Sequence, residues 1–257
     1  MSTILFEIKN SIAFITLNRP EKYNAFNREM ALLMQEKLEE CKSKEVRCVY
    51  ITGAGKAFSS GQDLEEIVDP KGPKVTSILG EHFNPIIRHI RRLEKPVVAA
   101  VNGVAAGAGA NIALSCDVVI ASQSASFLQA FSKIGLIPDS GGTYILPRLI
   151  GWQKASALMM LGEKVSADDA ERMGMLYKVF PDDVFEHEAV NIAITLARMP
   201  TKGLALTKQI LNTSMVNNYD DQLHDEELFQ ERAGNTYDYK EGVQAFLEKR
   251  KPNFKGE

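Results

Sequence analysis

Pro96-Val97-Val98-Ala99-Ala100-Val101, followed by Asn102-Gly103-Val104-Ala105-Ala106-Gly107-Ala108-Gly109-Ala110-Asn111-Ile112-Ala113-Leu114 and then Asp117-Val118-Val119-Ile120-Ala121, reads as strand, helix, strand. The outer pieces are short, apolar and rich in β-branched residues, as in strands covered on both faces. The middle piece is built of glycine and alanine where the helix opens. Strands alternating with helices pair in parallel through crossovers, so the predicted class is α/β.

Cys48-Val49-Tyr50-Ile51-Thr52 is another strand of the same kind, stopped by Gly53-Ala54-Gly55. Residues 3–9 and 11–17 alternate apolar and polar positions around Asn10-Ser11, which predicts a β-hairpin. Asn27 opens a helical pattern through Met30, Leu33, Met34 and Leu38, and a second helix is expected from about Val75 to Leu93. From about Ser140 strand signals nearly vanish. Helices are expected near 140–161, 166–173, 182–198, 201–216, 220–234 and 239–249. Pro200 and Gly203 mark a junction, dividing an α/β core (1–198) from a helical C-terminal segment (199–257). Asp69-Pro70-Lys71-Gly72-Pro73 resists regular structure and is the candidate for a mobile cover.

The bulk numbers exclude several classes. A chain of 257 residues can bury a full core, and 45% hydrophobic with 25% charged residues is the mixture of a soluble globule. A net charge of -3 argues against nucleic-acid binding, which needs a basic face. Cys41, Cys48 and Cys116 are odd in number and have no metal spacing, which fits reduced thiols in a cytoplasmic protein. His82, His89, His187 and His224 are scattered, so no metal site is expected. No leader pattern and no apolar run of spanning length is present, so the chain is expected neither to be exported nor to enter a membrane.

Three segments carry chemistry. In Gly53-Ala54-Gly55-Lys56-Ala57-Phe58-Ser59-Ser60-Gly61-Gln62-Asp63-Leu64 the glycines allow close ligand approach, and the Gln62 and Asp63 N–H groups lie where the chain turns. The segment lacks the spacing of a phosphate cradle and reads equally as a tight loop, with Asp63 as a helix cap. In the Ala105–Asn111 run the first helical N–H groups have no internal partner, and the helix dipole adds partial positive charge. The Ala108 N–H could receive an acyl oxygen there; the alternative is a close packing contact. In Gly135-Leu136-Ile137-Pro138-Asp139-Ser140-Gly141-Gly142 the acid is either an N-cap or a base facing a pocket walled by Phe131, Ile134, Leu136 and Ile137. An apolar wall raises a carboxyl pKa and a helix N-terminus lowers it. A carboxylate facing N–H donors is the minimum equipment for moving a proton beside a carbonyl.

In this order the three segments resemble the crotonase (enoyl-CoA hydratase/isomerase) superfamily. Asn18-Arg19-Pro20-Glu21-Lys22-Tyr23-Asn24-Ala25-Phe26 is similar to its first CoA-binding loop, and Glu241-Gly242-Val243-Gln244-Ala245-Phe246-Leu247-Glu248-Lys249-Arg250 to its closing helix. The resemblance implies a spiral of ββα units with a helical C-terminal trimerisation segment. It also implies a homotrimer or dimer of trimers and an acyl-CoA thioester substrate, with no separate cofactor because CoA belongs to the substrate. Carried over by position, it makes Gln62 and Ala108 the oxyanion donors and Asp139 the acid–base group. Lys22, Ala25, Ala57 and Ser59 would hold the adenine end of CoA, and Lys249 would meet its phosphates.

The departures bear on the reaction. The two glutamates of family hydratases would fall on Asn111 and Phe131, neither of which exchanges a proton. Adding water suits two carboxylates, whereas moving a double bond needs one group that takes a proton and returns it elsewhere. Residues 103–110, 130–139 and 141–143, with the tail from Tyr239 through Phe254, resemble the phenylacetate-pathway isomerase branch, which implies ring-1,2-epoxyphenylacetyl-CoA or a 3-enoyl-CoA as substrate. A hydratase in which Asp139 positions water, and a non-catalytic acyl-CoA-binding protein, are the competing expectations.

Overall fold

The structure is a computed structural model that describes residues 2–69 and 72–257. Pro70 and Lys71, the centre of the expected cover loop, lie outside the described residues. The chain opens with the hairpin β1 (Ile4–Lys9) and β2 (Ile12–Leu17), paired antiparallel from Ile4↔Leu17 to Lys9↔Ile12. Asn10 and Ser11 both take positive φ (51° and 62°), the two-residue turn whose twist matches its strands. Helix α1 (Arg28–Glu40) is capped by the Asn27 side chain, which accepts from Met30 N. Then come β3 (Cys48–Gly53), β4 (Ala57–Ser59) and α2 (Leu64–Val68). The short α3 (Val75–Ser77) runs through a π-helical turn at Ile78–Phe83 into α4 (Asn84–Arg92). The expected helix from Val75 is therefore α-helical at both ends and π-helical between them.

Two further strand pairs repeat the arrangement of β3 and β4: β5 (Val97–Val101) with β6 (Val104–Ala106), and β7 (Val118–Ser122) with β8 (Ser126–Leu128), separated by α5 (Ala108–Leu114). The first strand of each pair joins a large sheet ordered β1-β2-β3-β5-β7-β10, and the second joins a small sheet ordered β4-β6-β8-β9. Neighbours are parallel except β1 with β2 and β8 with β9. Each unit thus steps one strand along both sheets, which is the expected spiral.

The second half departs from expectation. Helices α6 (Gly142–Ile150) and α7 (Trp152–Leu161) are broken at Gly151, where φ is 79°. Strand β9 (Lys164–Ser166) precedes α8 (Ala167–Met173), and β10 (Lys178–Phe180) completes the large sheet. Strands therefore continue past Ser140; at three residues each they are too short for alternation to register. The helices α9 (Asp182–Arg198), α10 (Thr201–Ser214), α11 (Tyr219–Gly234) and α12 (Tyr237–Leu247) follow.

The unbroken apolar strands have a plain cause: both faces are covered. Val97, Ala99 and Val101 enter the main core with Ile15, Val49, Ile51 and α5, while Val98 and Ala100 face Phe185, Ala189, Ala193 and Ala197 of α9. The four-residue spacing of that α9 set is one helical stripe. Among the described residues no helix is long and apolar enough to cross a membrane.

Candidate active site

Three sequence segments meet around one cavity of roughly 180 Å³. Gln62, Ala108 and Asp139 all line it, with Phe131, Ile134 and Leu136 as apolar wall. Ile137 does not; it is 81% exposed, a correction to the expected wall. The rest of the wall comes from side chains that sequence reading had not singled out: Leu64, Ile67, Val75, Ile78, Leu79 and Phe83, from α2, α3 and the π-helical turn. These residues flank the predicted cover loop on both sides. Interrupting an α-helix with a π turn re-aims side chains, a device common at ligand walls. Periodicity alone could not have located it.

The loop ahead of Gln62 is stitched to the first segment. Phe26 N donates to the Gly61 carbonyl at 2.7 Å and Asp63 N to the Phe26 carbonyl at 2.9 Å, leaving the Gln62 N–H between them unused by any turn or loop bond. The Gln62 side-chain amide donates to Glu66 Oε2 at 2.9 Å, and its own oxygen is buried without a partner. Gly61 sits at φ 90°, and a Cβ there would lie 2.9 Å from the Ala106 oxygen and 3.2 Å from the Ala108 nitrogen. Only glycine lets these two strand ends press together. Ala108 is the first residue of α5, so its N–H has no helical partner. Asp63 is the N-cap of α2, accepting from Glu65 N, and pairs with Arg19 at 2.9 Å.

Asp139 is not a helix cap. Gly141 holds the N-cap position of α6, and no side chain caps it. The carboxylate instead accepts from the Ser140 hydroxyl at 2.8 Å and borders the cavity. Burial among apolar side chains raises its pKa above the ordinary carboxylate value, and the Ser140 hydroxyl pulls the other way. Asn111 and Phe131, where the resemblance would put the hydratase glutamates, are both buried; Phe131 is cavity wall, and Asn111 lies beneath the Asp139 loop. Replacing Ser140 by Ala removes the one hydroxyl that stabilises the ionised Asp139. The acid limb of the pH–rate profile is then expected to move to higher pH, with a severalfold loss at low pH and a rate within about twofold on the alkaline plateau. A pH profile of kcat/KM checks it.

The expected CoA-loop residues cluster beside this cavity. Ala25 and Ala57 are buried, and the Ser59 hydroxyl donates to the Asn24 carbonyl at 2.9 Å. Lys22 forms an ion pair with Glu65. Asn24, at φ 55° and fully buried, holds the cluster: it accepts from Arg19 N and donates to the Ala54 and Ala57 carbonyls. Sequence reading placed it in the loop from Lys22 to Ala25 expected to hold CoA, but not as the residue that braces that loop. Lys249 follows α12 and is not part of the cavity lining.

A family model for enoyl-CoA hydratase/isomerase matches residues 7–257. The chain is 46% identical over 260 residues to the 1,2-epoxyphenylacetyl-CoA isomerase of Escherichia coli (strain K12), covering 100% of this chain and 99% of that protein. It is also 36% identical to the short-chain-enoyl-CoA hydratase of Clostridium acetobutylicum, over 98% of this chain and 97% of the relative. The crystal structure of an enoyl-CoA hydratase from Bacillus anthracis superposes with a TM-score of 0.92 at 32% identity, covering 99% of this chain and 100% of the other. With two-sheet spiral, cavity and full-length matches agreeing, the chain belongs to the enoyl-CoA hydratase/isomerase family and is an enzyme of it.

Proposed function

We propose that the protein is an acyl-CoA isomerase working with one carboxylate. Asp139 takes a proton from the carbon beside the thioester and returns it at another carbon. The electron pair moves meanwhile onto the thioester oxygen, held by the Gln62 and Ala108 N–H groups. The observation that carries this reading is the cavity's inventory: among its described lining residues Asp139 is the only acid and Lys133 the only other ionisable group. Hydration would require a second acid–base partner where Asn111 and Phe131 stand.

For the acyl group we propose a six-membered ring that epoxidation has dearomatised, ring-1,2-epoxyphenylacetyl-CoA, with 3-enoyl-CoA esters as further substrates. The size supports a ring: a cavity of about 150 Å³ lined by aliphatic and aromatic side chains is known to hold benzene. Phe83 and Phe131 provide aromatic walls. The similarity to the Escherichia coli isomerase points the same way. Lys22, Ala25, Ala57 and Ser59 would seat the adenine end of CoA, Lys22 giving up Glu65 to do so, and Lys249 its phosphates. The homotrimer or dimer of trimers that the family resemblance implies is supported by the apolar surface of the last helices, where Phe246 is 83% and Leu247 68% exposed; sedimentation equilibrium tests it.

A panel of aryl and linear enoyl-CoA esters, followed by mass and by absorbance of the conjugated thioester, tests the reaction. Products of unchanged mass are expected. Products heavier by one water, formed as the main outcome, would make the enzyme a hydratase.

A further inference from the structure

Asp139 reaches the cavity from a loop with little regular structure of its own. Two consecutive residues after it, Ser140 and Gly141, have positive φ (52° and 75°). Such a loop has many alternatives, and something must select one. Its main-chain carbonyl at Asp139 accepts twice: from Gly142 N at 2.9 Å, which only closes the local turn, and from Asn111 Nδ2 at 2.9 Å. Asn111 is 1% exposed and lies one turn along α5 from Ala108, the residue whose N–H opens that helix.

The Asn111 side chain is itself held. Its oxygen accepts from Gln129 Nε2 at 2.8 Å, in a buried contact. The direction of both amides follows from the Asp139 carbonyl, which can only accept. Asn111 must face it with its NH₂, so its oxygen faces Gln129, whose NH₂ must face Asn111. The Gln129 oxygen is left buried with no partner. Gly142 completes the fit: a Cβ there would lie 2.4 Å from Asn111 Nδ2, so nothing but glycine lets the loop sit flush on the amide. Gln129 in turn precedes the 3₁₀ turn Ala130–Ile134, which supplies Ala130, Phe131 and Ile134 to the cavity.

We infer that Asn111, oriented by Gln129, is a positioning residue that sets the Asp139 carboxylate in register with the Ala108 N–H. One side chain ties together the helix that carries the oxyanion donor, the wall that carries Phe131 and the loop that carries the acid. The inference rests on the one-carboxylate reading and extends it to a residue that touches no substrate. A displacement of about 1 Å in a reacting group can cost on the order of a hundredfold in rate.

The test is Asn111→Ala, assayed alongside Asp139→Asn with the isomerisable ester identified by the panel. Asn111→Ala is expected to lower kcat by about 10- to 100-fold with KM within about threefold. The acid limb of its kcat profile should also move toward lower pH, because a loosened loop lets water reach the carboxylate. A residue needed only for folding would reduce the active fraction and leave that midpoint in place. Gln129→Met, which keeps the volume and removes the donor, is expected to shift kcat and midpoint in the same direction by less, and it carries the test if Asn111→Ala does not fold. Unchanged kcat and midpoint in the folded variant would overturn the inference. If that occurs while Asp139→Asn is inactive, only the positioning role falls; full turnover by Asp139→Asn removes the reading beneath it.

Discussion

Asp139→Asn is expected to abolish isomerisation, with kcat lower by about 10² to 10⁴, the usual contribution of a positioned acid–base group. CoA-ester affinity should change little, since the segments proposed to hold the thioester oxygen and the residues flanking them are untouched. The same variant should be more stable than the parent at neutral pH. Burial raises the Asp139 pKa. Between the ordinary carboxylate value and the raised one, the folded protein keeps a proton that the unfolded chain has lost. Stability therefore falls as pH rises through that window, and above it the full cost of the buried charge is present. An amide carries no such cost. Single-turnover kinetics, ligand binding and thermal melts on one preparation check all three parts. A variant that turns over normally, or one whose melting temperature at pH 7 drops while its binding is lost, would assign Asp139 to structure instead.

The second large effect concerns Lys208, on α10. Its side chain is 6% exposed, and its ammonium pairs with Asp117 Oδ2 at 2.7 Å while also donating to the Ile90 carbonyl at 2.6 Å and the Lys95 carbonyl at 3.2 Å. Burial pulls the Lys208 pKa down and Asp117 pulls against it. Asp117 also accepts from Val97 N, at the start of β5, at 2.8 Å. One largely buried ion pair therefore fastens the helical segment to the central strand that leads toward Gly107 and Ala108. Lys208→Ala leaves two carbonyls without their donor and Asp117 with Arg91 alone, at 3.7 Å, and is expected to destabilise the protein by about 3 kcal/mol. Lys208→Met combined with Asp117→Asn should recover a good part of that loss, because the cost lies mainly in the stranded charge. Denaturant unfolding of the single and double variants reads it directly; a single variant within about 1 kcal/mol of the parent would show the contact to be dispensable.

What could be read from residues alone followed the range of the interactions involved. The hairpin around Asn10-Ser11, the Asn27 cap and the strands at 48, 97 and 118 depend on neighbours in the chain, and their patterns are local. Gln62, Ala108 and Asp139 stood out for the same reason: glycine-rich turns and a lone acid mark themselves within a few residues. The three-residue strands at 57, 104, 126, 164 and 178 did not, because each is held by partners in the small or large sheet rather than by its own alternation. The far wall of the cavity was hidden too. Leu64, Ile67, Val75, Ile78, Leu79 and Phe83 look in sequence like any apolar helix face, and a π turn at Ile78–Phe83 leaves no compositional trace. Asn111 looked like a lost catalytic position. Only tertiary structure gave it work, since its partners Gln129 and Asp139 lie 18 and 28 residues away. Local sequence determined which groups are chemically able to act; the distances among them, and the burial that sets the charge on Asp139, exist only once the two sheets and the helices between them have closed.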